Sequence, residues 1–365
     1  MAETSVPSWR NMPKMPLDGG DSRSRAVFLE YLDPGRDSCH VGWKCGTLFG
    51  MKYSIGLDIG GTKCAVSVGA ANDAGVDIKF REEFPTAGKT WQEVLAVYRE
   101  KIQSLAGTYE IANIGISCGG PLDSKRGLIQ SPPNLPGWDD VPIVQYFADA
   151  FHVPVHVQND ANACALAEAK YGAGRGARNV VFMTFGTGLG AGIVVDGRLY
   201  SGTNDNAGEI GHIRLAPRGP KGYNKDGSAE GFCSGAGIAR LAGIRAREYE
   251  MEYAGSESAE KARAGALTTK DIFGYVRAGD PFCTCVFKES AEKLATLLAY
   301  TIDILNPEVI VLGGVFMRNA DLFMAEIEPI LAREALPGAL GVCRIVPAGI
   351  GENIGDYAAL AVANM

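Results

Sequence analysis

The residues best able to do chemistry in this 365-residue chain sit where short apolar runs break into glycine. Asp58 follows the run Ile55–Leu57 and precedes Gly60-Gly61-Thr62-Lys63, after which a second apolar run, Ala65–Val68, begins. Strand, glycine turn and strand predict a β-hairpin, with glycine supplying positive φ at the bend. Glycine also lets backbone N–H groups come close to a phosphate. A carboxylate just before such a turn suits Mg²⁺, which takes one or two carboxylates with waters and phosphate oxygens. On this stretch alone, an ordinary hairpin with a loose turn is the alternative. The pattern returns at residues 184–195, TFGTGLGAGIVV, with Gly186, Thr187 and Gly188 in the bend. Two such hairpins from two similar halves could grip one nucleotide from both sides, and the duplication is a stronger signal than either hairpin.

Other nucleotide-binding patterns fail their context. GTGLGAG has the look of a dinucleotide fingerprint, but a β-branched run and the turn Asp196-Gly197 follow it, where that motif needs a helix. No GxxxxGK[ST] is present, which excludes a P-loop enzyme. The formal net charge of −7, with no basic tract, argues against nucleic acid or an anionic membrane as main partner. Apolar runs fall short of the about 18 residues of a membrane span. The 46% hydrophobic and 21% charged composition suits a soluble globular chain with a sizeable core. Nine scattered cysteines, several within apolar runs, point to reduced, mostly buried thiols and a cytoplasmic protein. Cys283 and Cys285 form a lone CxC, which is weak as a metal site.

The elements that must position these residues follow from periodicity. Residues 1–50 are rich in Pro, Gly, Ser and Arg and lack a sustained period, so they read as disordered or as translated upstream sequence, with Met51 the natural start. They carry no signal-peptide apolar core and no helix–turn–helix pattern. After the first hairpin, a third strand is expected at Ile78–Phe84 and a helix at Thr90–Leu105, where Trp91, Val94, Leu95, Tyr98, Ile102 and Leu105 share a face. Ile111–Ser117 reads as a buried strand running into Gly119-Gly120, and 131–138 is the loop SPPNLPGW. A helix at Val141–Phe151, a strand at Val153–Val157 ending in Gln158-Asn159-Asp160, and a helix at Ala161–Tyr171 follow. The second unit opens at Asn179–Phe185; residues 199–235 are loop-rich and 236–305 mainly helical, with Ser290–Leu305 the longest helix, stopped before Pro307. Val309–Leu312 and Cys343–Pro347 read as strands, and Ala320–Ala335 and Asp356–Ala363 as helices.

In order, LDIGGTK, SPPNLPGW, QNDANACALAE, FGTGLGAGI, AGEIGH, the Glu230…Ser234-Gly235 stretch and LNPEVIVLGG resemble the ROK family of sugar kinases and repressors, and its glucokinase-type members most. The pieces span 57–314, and 51–365 fits the family in length. DIGGTK is shared by several sugar-kinase families; its combination with NDANA and GEIGH is specific to this one.

The resemblance implies an α/β actin-like ATPase fold of two ribonuclease-H-like halves with a cleft between them: 51–169 plus 351–365, and 170–350. It implies ATP and Mg²⁺ as donor and cation, a hexose as acceptor, and a homodimer. Asp160 corresponds to the general base, which phosphoryl transfer to an alcohol requires along with charge stabilisation on the γ-phosphate. As a bare sequence feature, Asp160 is also a favourable N-cap for the helix after it. Gly120, Asn134, Asn159, Asp160, Glu209, His212 and Glu230 correspond to sugar contacts. Glu209 and His212, three residues apart, would be an odd choice for a plain solvated turn. Gly60, Gly61, Thr62, Lys63, Gly186, Thr187 and Gly188 correspond to phosphate loops, Gly313 and Gly314 to the adenosine side, and Asp58 to the Mg²⁺ ligand, through water.

One departure stands out. Most of the family holds a structural zinc through the GH histidine and a CxCGxxGC run, but 213–229 reads IRLAPRGPKGYNKDGSA, without cysteine. Cys233 lies after Glu230, out of position, so one histidine without thiolates falls short of the four ligands of structural zinc and no zinc is expected. The chain therefore reads as an ATP-dependent hexose kinase, with glucose as first candidate. The alternatives are a kinase for fructose, mannose, allose, N-acetylglucosamine or N-acetylmannosamine, or a non-catalytic sugar-binding regulator.

Overall fold

The computed structural model describes residues 51–72 and 75–365; the expectation for residues 1–50 lies outside them. The described residues form one compact unit. Its first hairpin is β1 (Lys52–Ile59) and β2 (Lys63–Asn72), followed by β3 (Gly75–Pro85), α1 (Trp91–Ala106), β4 (Glu110–Cys118), α2 (Ile143–Phe151), β5 (Val155–Asn159) and α3 (Asp160–Tyr171). The second hairpin is β6 (Val180–Phe185) and β7 (Leu189–Val195), followed by β8 (Arg198–Leu199), α4 (Gly235–Glu248), α5 (Pro281–Leu305), β9 (Val309–Leu312), α6 (Ala320–Glu334), β10 (Arg344–Pro347) and α7 (Ile354–Ala363).

The two sheets repeat one plan. Strand order is β3-β2-β1-β4-β5 in the first and β8-β7-β6-β9-β10 in the second. In each, an antiparallel hairpin stands at one side and two parallel strands at the other. This is the duplicated ribonuclease-H-like arrangement of the actin-like ATPase fold. In register, Asp58 pairs with Ser117 and Cys118 with Asn159, so the carboxyl ends of β1, β4 and β5 align at one edge. That edge is where open α/β sheets receive ligands.

Each sheet has its own apolar core. The first buries Ile55, Leu57, Val66, Val94, Leu95, Tyr98, Ile114, Ile116 and Phe147. Tyr98 is fully buried, and its hydroxyl donates to the carbonyls of Asp58 (2.7 Å) and Ala65 (3.2 Å), fixing α1 to both strands of the first hairpin. The second core gathers Met183, Phe185, Leu241, Phe282, Leu294, Leu298, Phe316 and Phe323.

Between the sheets lie α3 and α7. Ala163, Leu166 and Ala167 of α3 pack with Ala358, Ala361 and Val362 of α7. A Cβ on Gly115 would overlap the backbone of Ala359 and Ala363, and one on Gly192 would overlap the carbonyl of Ala161. Glycine is therefore required where strand backbone meets helix backbone.

Several boundaries differ from sequence expectation. The longest helix starts at Pro281, not Ser290. Asp280 caps it by accepting the Cys283 N–H (2.7 Å), Pro281 takes the first position, and Phe282, Cys283, Val286 and Phe287 face the core. On that helix the CxC pair splits: Cys283 is buried and Cys285 half-buried. Strand β3 is longer than expected, β5 runs through Asn159, and α2 starts after Pro142. The bends of both hairpins contain no positive-φ residue, contrary to the expected role of glycine there. Space is the reason instead: a Cβ on Gly60 would press on the Lys63 carbonyl at 2.7 Å, and one on Gly61 would overlap the Asn134 carbonyl.

Gly115→Ala tests this packing. Its methyl must displace backbone, for which about 3 kcal/mol of lost stability is expected. Urea unfolding checks it; a change within about 0.5 kcal/mol, the range of neutral surface substitutions, would contradict the packing.

Candidate active site

A cleft of ≈ 390 Å³ opens at the aligned strand ends. Asn159, Asp160, Gly186, Thr187, Gly188, Glu209 and Glu230 all line it, together with Thr184, Asp205 and Gly208. Residues from both sheets thus meet there.

Asp160 is the first residue of α3, immediately after β5. It is not the N-cap: Asn159 is, with its Oδ1 accepting the Ala161 N–H at 2.9 Å. Asp160 Oδ1 accepts the same N–H at 2.8 Å. Its side chain is open to the cleft yet ringed by protein, and this desolvation raises its pKa, opposed by the N–H groups of Ala161 and Asp160 itself. No basic side chain forms an ion pair with it among the described residues.

Glu209 reaches the cleft by a backbone device. Gly208 has φ +89, and its Cβ would overlap the Ala191 carbonyl; a Cβ on Gly211 would overlap that of Leu189. The AGEIGH turn therefore lies flat on β7, with Ala191 N–H bonded to Gly208 O at 2.8 Å. Burial raises the Glu209 pKa, Asp160 and Glu230 add to the rise, and His212 opposes it. Glu230 Oε2 accepts the Leu189 N–H at 3.2 Å and limits Gly188, whose Cβ would come within 2.7 Å of it. His212 is exposed on a 3₁₀ turn beside Tyr223, ring centroids 6.1 Å apart, and is not in the cleft lining.

The glycine loops converge. Gly61 abuts Asn134, and a Cβ on Gly120 would touch Asn159 Nδ2 at 3.0 Å. This places the first hairpin, the Gly120 turn and the SPPNLPGW loop beside Asn159. In the second hairpin, Gly186 accepts the Gly235 N–H at 2.8 Å, and Gly314, at φ +57, lies against Phe185 O and Gly186 N. Nothing stands within 4 Å of where a Gly186 Cβ would be, so this loop presents bare backbone to the cleft.

Asp58 is half-buried at the end of β1. Burial, then the carboxylates of Asp356 and Asp160, push its pKa up to about 6 against the pull of Lys63 and Arg81. Asp356 had no sequence signal beyond its place at the start of the last helix. It is buried and pairs with Arg81 Nε at 2.5 Å. Arg81 also pairs with Glu83, whose Oε1 binds Lys63 Nζ at 2.6 Å. Asp205 was missed as well. It receives the N–H and hydroxyl of Ser124 at 2.7 and 2.8 Å, bridging the two sides of the cleft mouth.

The cysteine-free segment after His212 is ordered by its own hydrogen bonds. Leu215 and Ala216 N–H donate to Gly227 O, and Ala229 N–H to Ile213 O. Lys221–Gly222 pairs with Lys225–Asp226 around a two-residue turn, Tyr223 and Asn224, both at positive φ. Lys225 Nζ binds His212 O (2.7 Å), and Arg214 binds Asp226 O (2.6 Å). Cys233 is turned into the core, its thiol on Ser290 O at 3.8 Å.

Comparison with known proteins finds the family model "ROK family" matched by residues 54–364. A glucokinase of Thermotoga maritima is 30% identical over 313 residues, covering 84% of this chain and 96% of that protein. An N-acetylmannosamine kinase of Citrobacter koseri is 33% identical over 286 residues, covering 77% and 89%. The solved structure of a ROK family glucokinase from Streptomyces griseus in complex with glucose and AMPPNP has a TM-score of 0.66 at 29% identity, covering 86% of this chain and 99% of that one.

Removing the Arg214 side chain tests what orders the 213–229 loop. A charge-assisted hydrogen bond is worth about 1.5–3 kcal/mol, so Arg214→Ala is expected to speed amide exchange at 213–228 about tenfold or more while the two sheets stay protected. Unchanged exchange there would contradict the assignment.

Proposed function

The chain belongs to the ROK family, and from that premise we propose that it is a sugar kinase transferring the γ-phosphoryl group of ATP to a hexose hydroxyl, with glucose as first acceptor and glucose 6-phosphate as product. The observation that carries this reading is Asp160: an ion-pair-free, desolvated carboxylate facing a bare glycine hairpin across one cleft.

In the proposed reaction Asp160 accepts the proton of the attacking sugar hydroxyl. The sugar oxygen bonds to the γ-phosphorus, the bond from that phosphorus to the bridging oxygen breaks, and ADP leaves. General-base help of this kind is worth about 10²–10⁴-fold in rate. Asn159, Glu209 and Glu230, with Gly120, Asn134 and His212 at the margin, hold the sugar so that one hydroxyl faces Asp160. The backbone of Gly60, Gly61 and Thr62, the Lys63 ammonium, and Gly186, Thr187 and Gly188 hold the phosphates; Gly313 and Gly314 border the adenosine side. The carboxylates crowding Asp58 suit a divalent cation, and Asp58 is the residue that would hold Mg²⁺ through water. When bound, Mg²⁺ neutralises charge on the phosphates.

The two sheets with their separate cores support a division into halves at 51–169 plus 351–365 and at 170–350, which close on the sugar and exclude water. The bonds within 213–229 support a loop that needs no zinc; metal analysis of the purified protein is expected to find none in stoichiometric amount. A homodimer is supported by exposed Ile304 and Leu336, which the 2.9 Å bond from Leu336 N–H to Asp303 brings together on one surface. The seven free cysteines among the described residues fit a reducing, cytoplasmic setting. Among the described residues, no helix is long and apolar enough to cross a membrane.

A coupled ADP-release assay across glucose, fructose, mannose, allose, N-acetylglucosamine and N-acetylmannosamine tests the reading. Turnover with glucose is expected. Turnover with N-acetylmannosamine alone would move the substrate to the amino-sugar kinases, and turnover with none would favour a regulator. Asp160→Asn is expected to lower kcat by about 10²–10⁴-fold; near-full activity would remove Asp160 as base. Asp160 must be ionised to accept a proton, and burial raises its pKa. Activity should therefore fall as pH drops through a midpoint above the ordinary aspartate range. An acid limb at or below the usual aspartate pKa of about 4 would contradict the burial argument.

A further inference from the structure

The chain passes between the two sheets twice. Residues 172–179 lead from α3 to β6, and 348–353 lead from β10 to α7. One side chain touches both crossings. Glu168, in the last turn of α3, has 0% exposure. Its Oε2 accepts the N–H of Ala173 at 2.7 Å and of Gly349 at 3.1 Å, and its Oε1 accepts the N–H of Ile350 at 3.0 Å.

No ion pair involves Glu168 among the described residues. A buried carboxylate without a counter-charge must be met by hydrogen bonds, and here backbone from two distant segments meets it. The glycines beside it keep the crossings close. A Cβ on Gly172 would overlap the Glu168 carboxylate, and one on Gly349 would lie 2.8 Å from Ala173 N. The same helix begins with Asp160, two turns away.

We infer that Glu168 is a positioning residue that fastens the two crossings into one hinge. Rotation of one sheet unit against the other then carries α3, and Asp160 at its head, as a rigid piece. The catalytic consequence rests on the sugar-kinase reading; the hinge itself can be measured without sugar.

The test is hydrogen exchange on the whole chain and on Glu168→Gln. Glutamine keeps the size but removes the negative charge that strengthens all three bonds and replaces one acceptor oxygen with an NH₂, so both crossings are held more weakly. Exchange in 172–175 and in 348–351 should rise together, each at least about tenfold, a change equivalent to about 1.4 kcal/mol. Protection in β1, β4, β6 and β9 should hold. A rise in one crossing alone, or in neither, overturns the shared hinge. Should Glu168→Gln fail to fold, Gly349→Ala reads the same point: it leaves the carboxylate intact, forces the crossings apart, and must give the same paired rise. In the ADP-release assay, Glu168→Gln should lower kcat about tenfold with KM for ATP within twofold. Unchanged kcat, or a loss confined to KM, overturns the positioning role. No turnover by the unaltered chain would defeat the sugar-kinase reading while the exchange result still decides the hinge.

Discussion

Backbone meets backbone where the first sheet crosses α7 and where the second sheet crosses α3, with no room for a Cβ on Gly115 or Gly192. Between those crossings the two helices touch through alanines: Ala163 and Ala167 against Ala358 and Ala361. This thin seam of small residues lets two complete sheets stand back to back with their ligand-receiving edges toward one cleft. Bulkier residues there would push the sheets apart and separate Asp160 from the glycine hairpin it faces. Asp160 and Glu168 ride on one of these two helices, and Asp356 opens the other.

The chemistry of the cleft follows from carboxylates set close together with few compensating cations. On top of burial, Asp356 and Asp160 raise the proton affinity of Asp58, and Asp160 and Glu230 raise that of Glu209, while burial alone raises that of Asp160. Lys63 and Arg81 offset part of this at Asp58, and His212 at Glu209. Lys63 is held by Glu83, so the lysine that opens β2 is tied through Arg81 to Asp356 at the head of α7. A site with this charge favours a cation near Asp58 and a proton-accepting carboxylate at Asp160, the two needs of phosphoryl transfer to an alcohol.

Much of this was legible in the sequence because it rests on local pattern. Both hairpins announce themselves as apolar runs around glycine, and α1 shows its buried face at helical spacing. What escaped depends on partners far along the chain. Asp205 meets Ser124 across 81 residues, and Glu168 meets Ile350 across 182. No period or spacing encodes such a contact. The early start of α5 has a different reason: Asp280-Pro281 is a sound cap and first residue, but Phe282, Cys283, Thr284, Cys285 and Val286 are weak helix formers whose helix is decided by burial against the core. The bend glycines carry no positive φ; close approach requires Gly60, Gly61 and Gly188, while Gly186 faces open space. His212, expected among the sugar contacts, stands outside the cleft lining, its carbonyl held by Lys225.

On the proposed reading the two glycine hairpins hold one nucleotide jointly. Calorimetric titration of AMPPNP into the unaltered chain, Lys63→Ala and Gly186→Val tests it most directly. Lys63 is exposed, and the space beyond Gly186 is empty, so both variants should fold. Each variant, one in each sheet, should lose at least about tenfold in affinity, about 1.4 kcal/mol. Full affinity in either variant would contradict it.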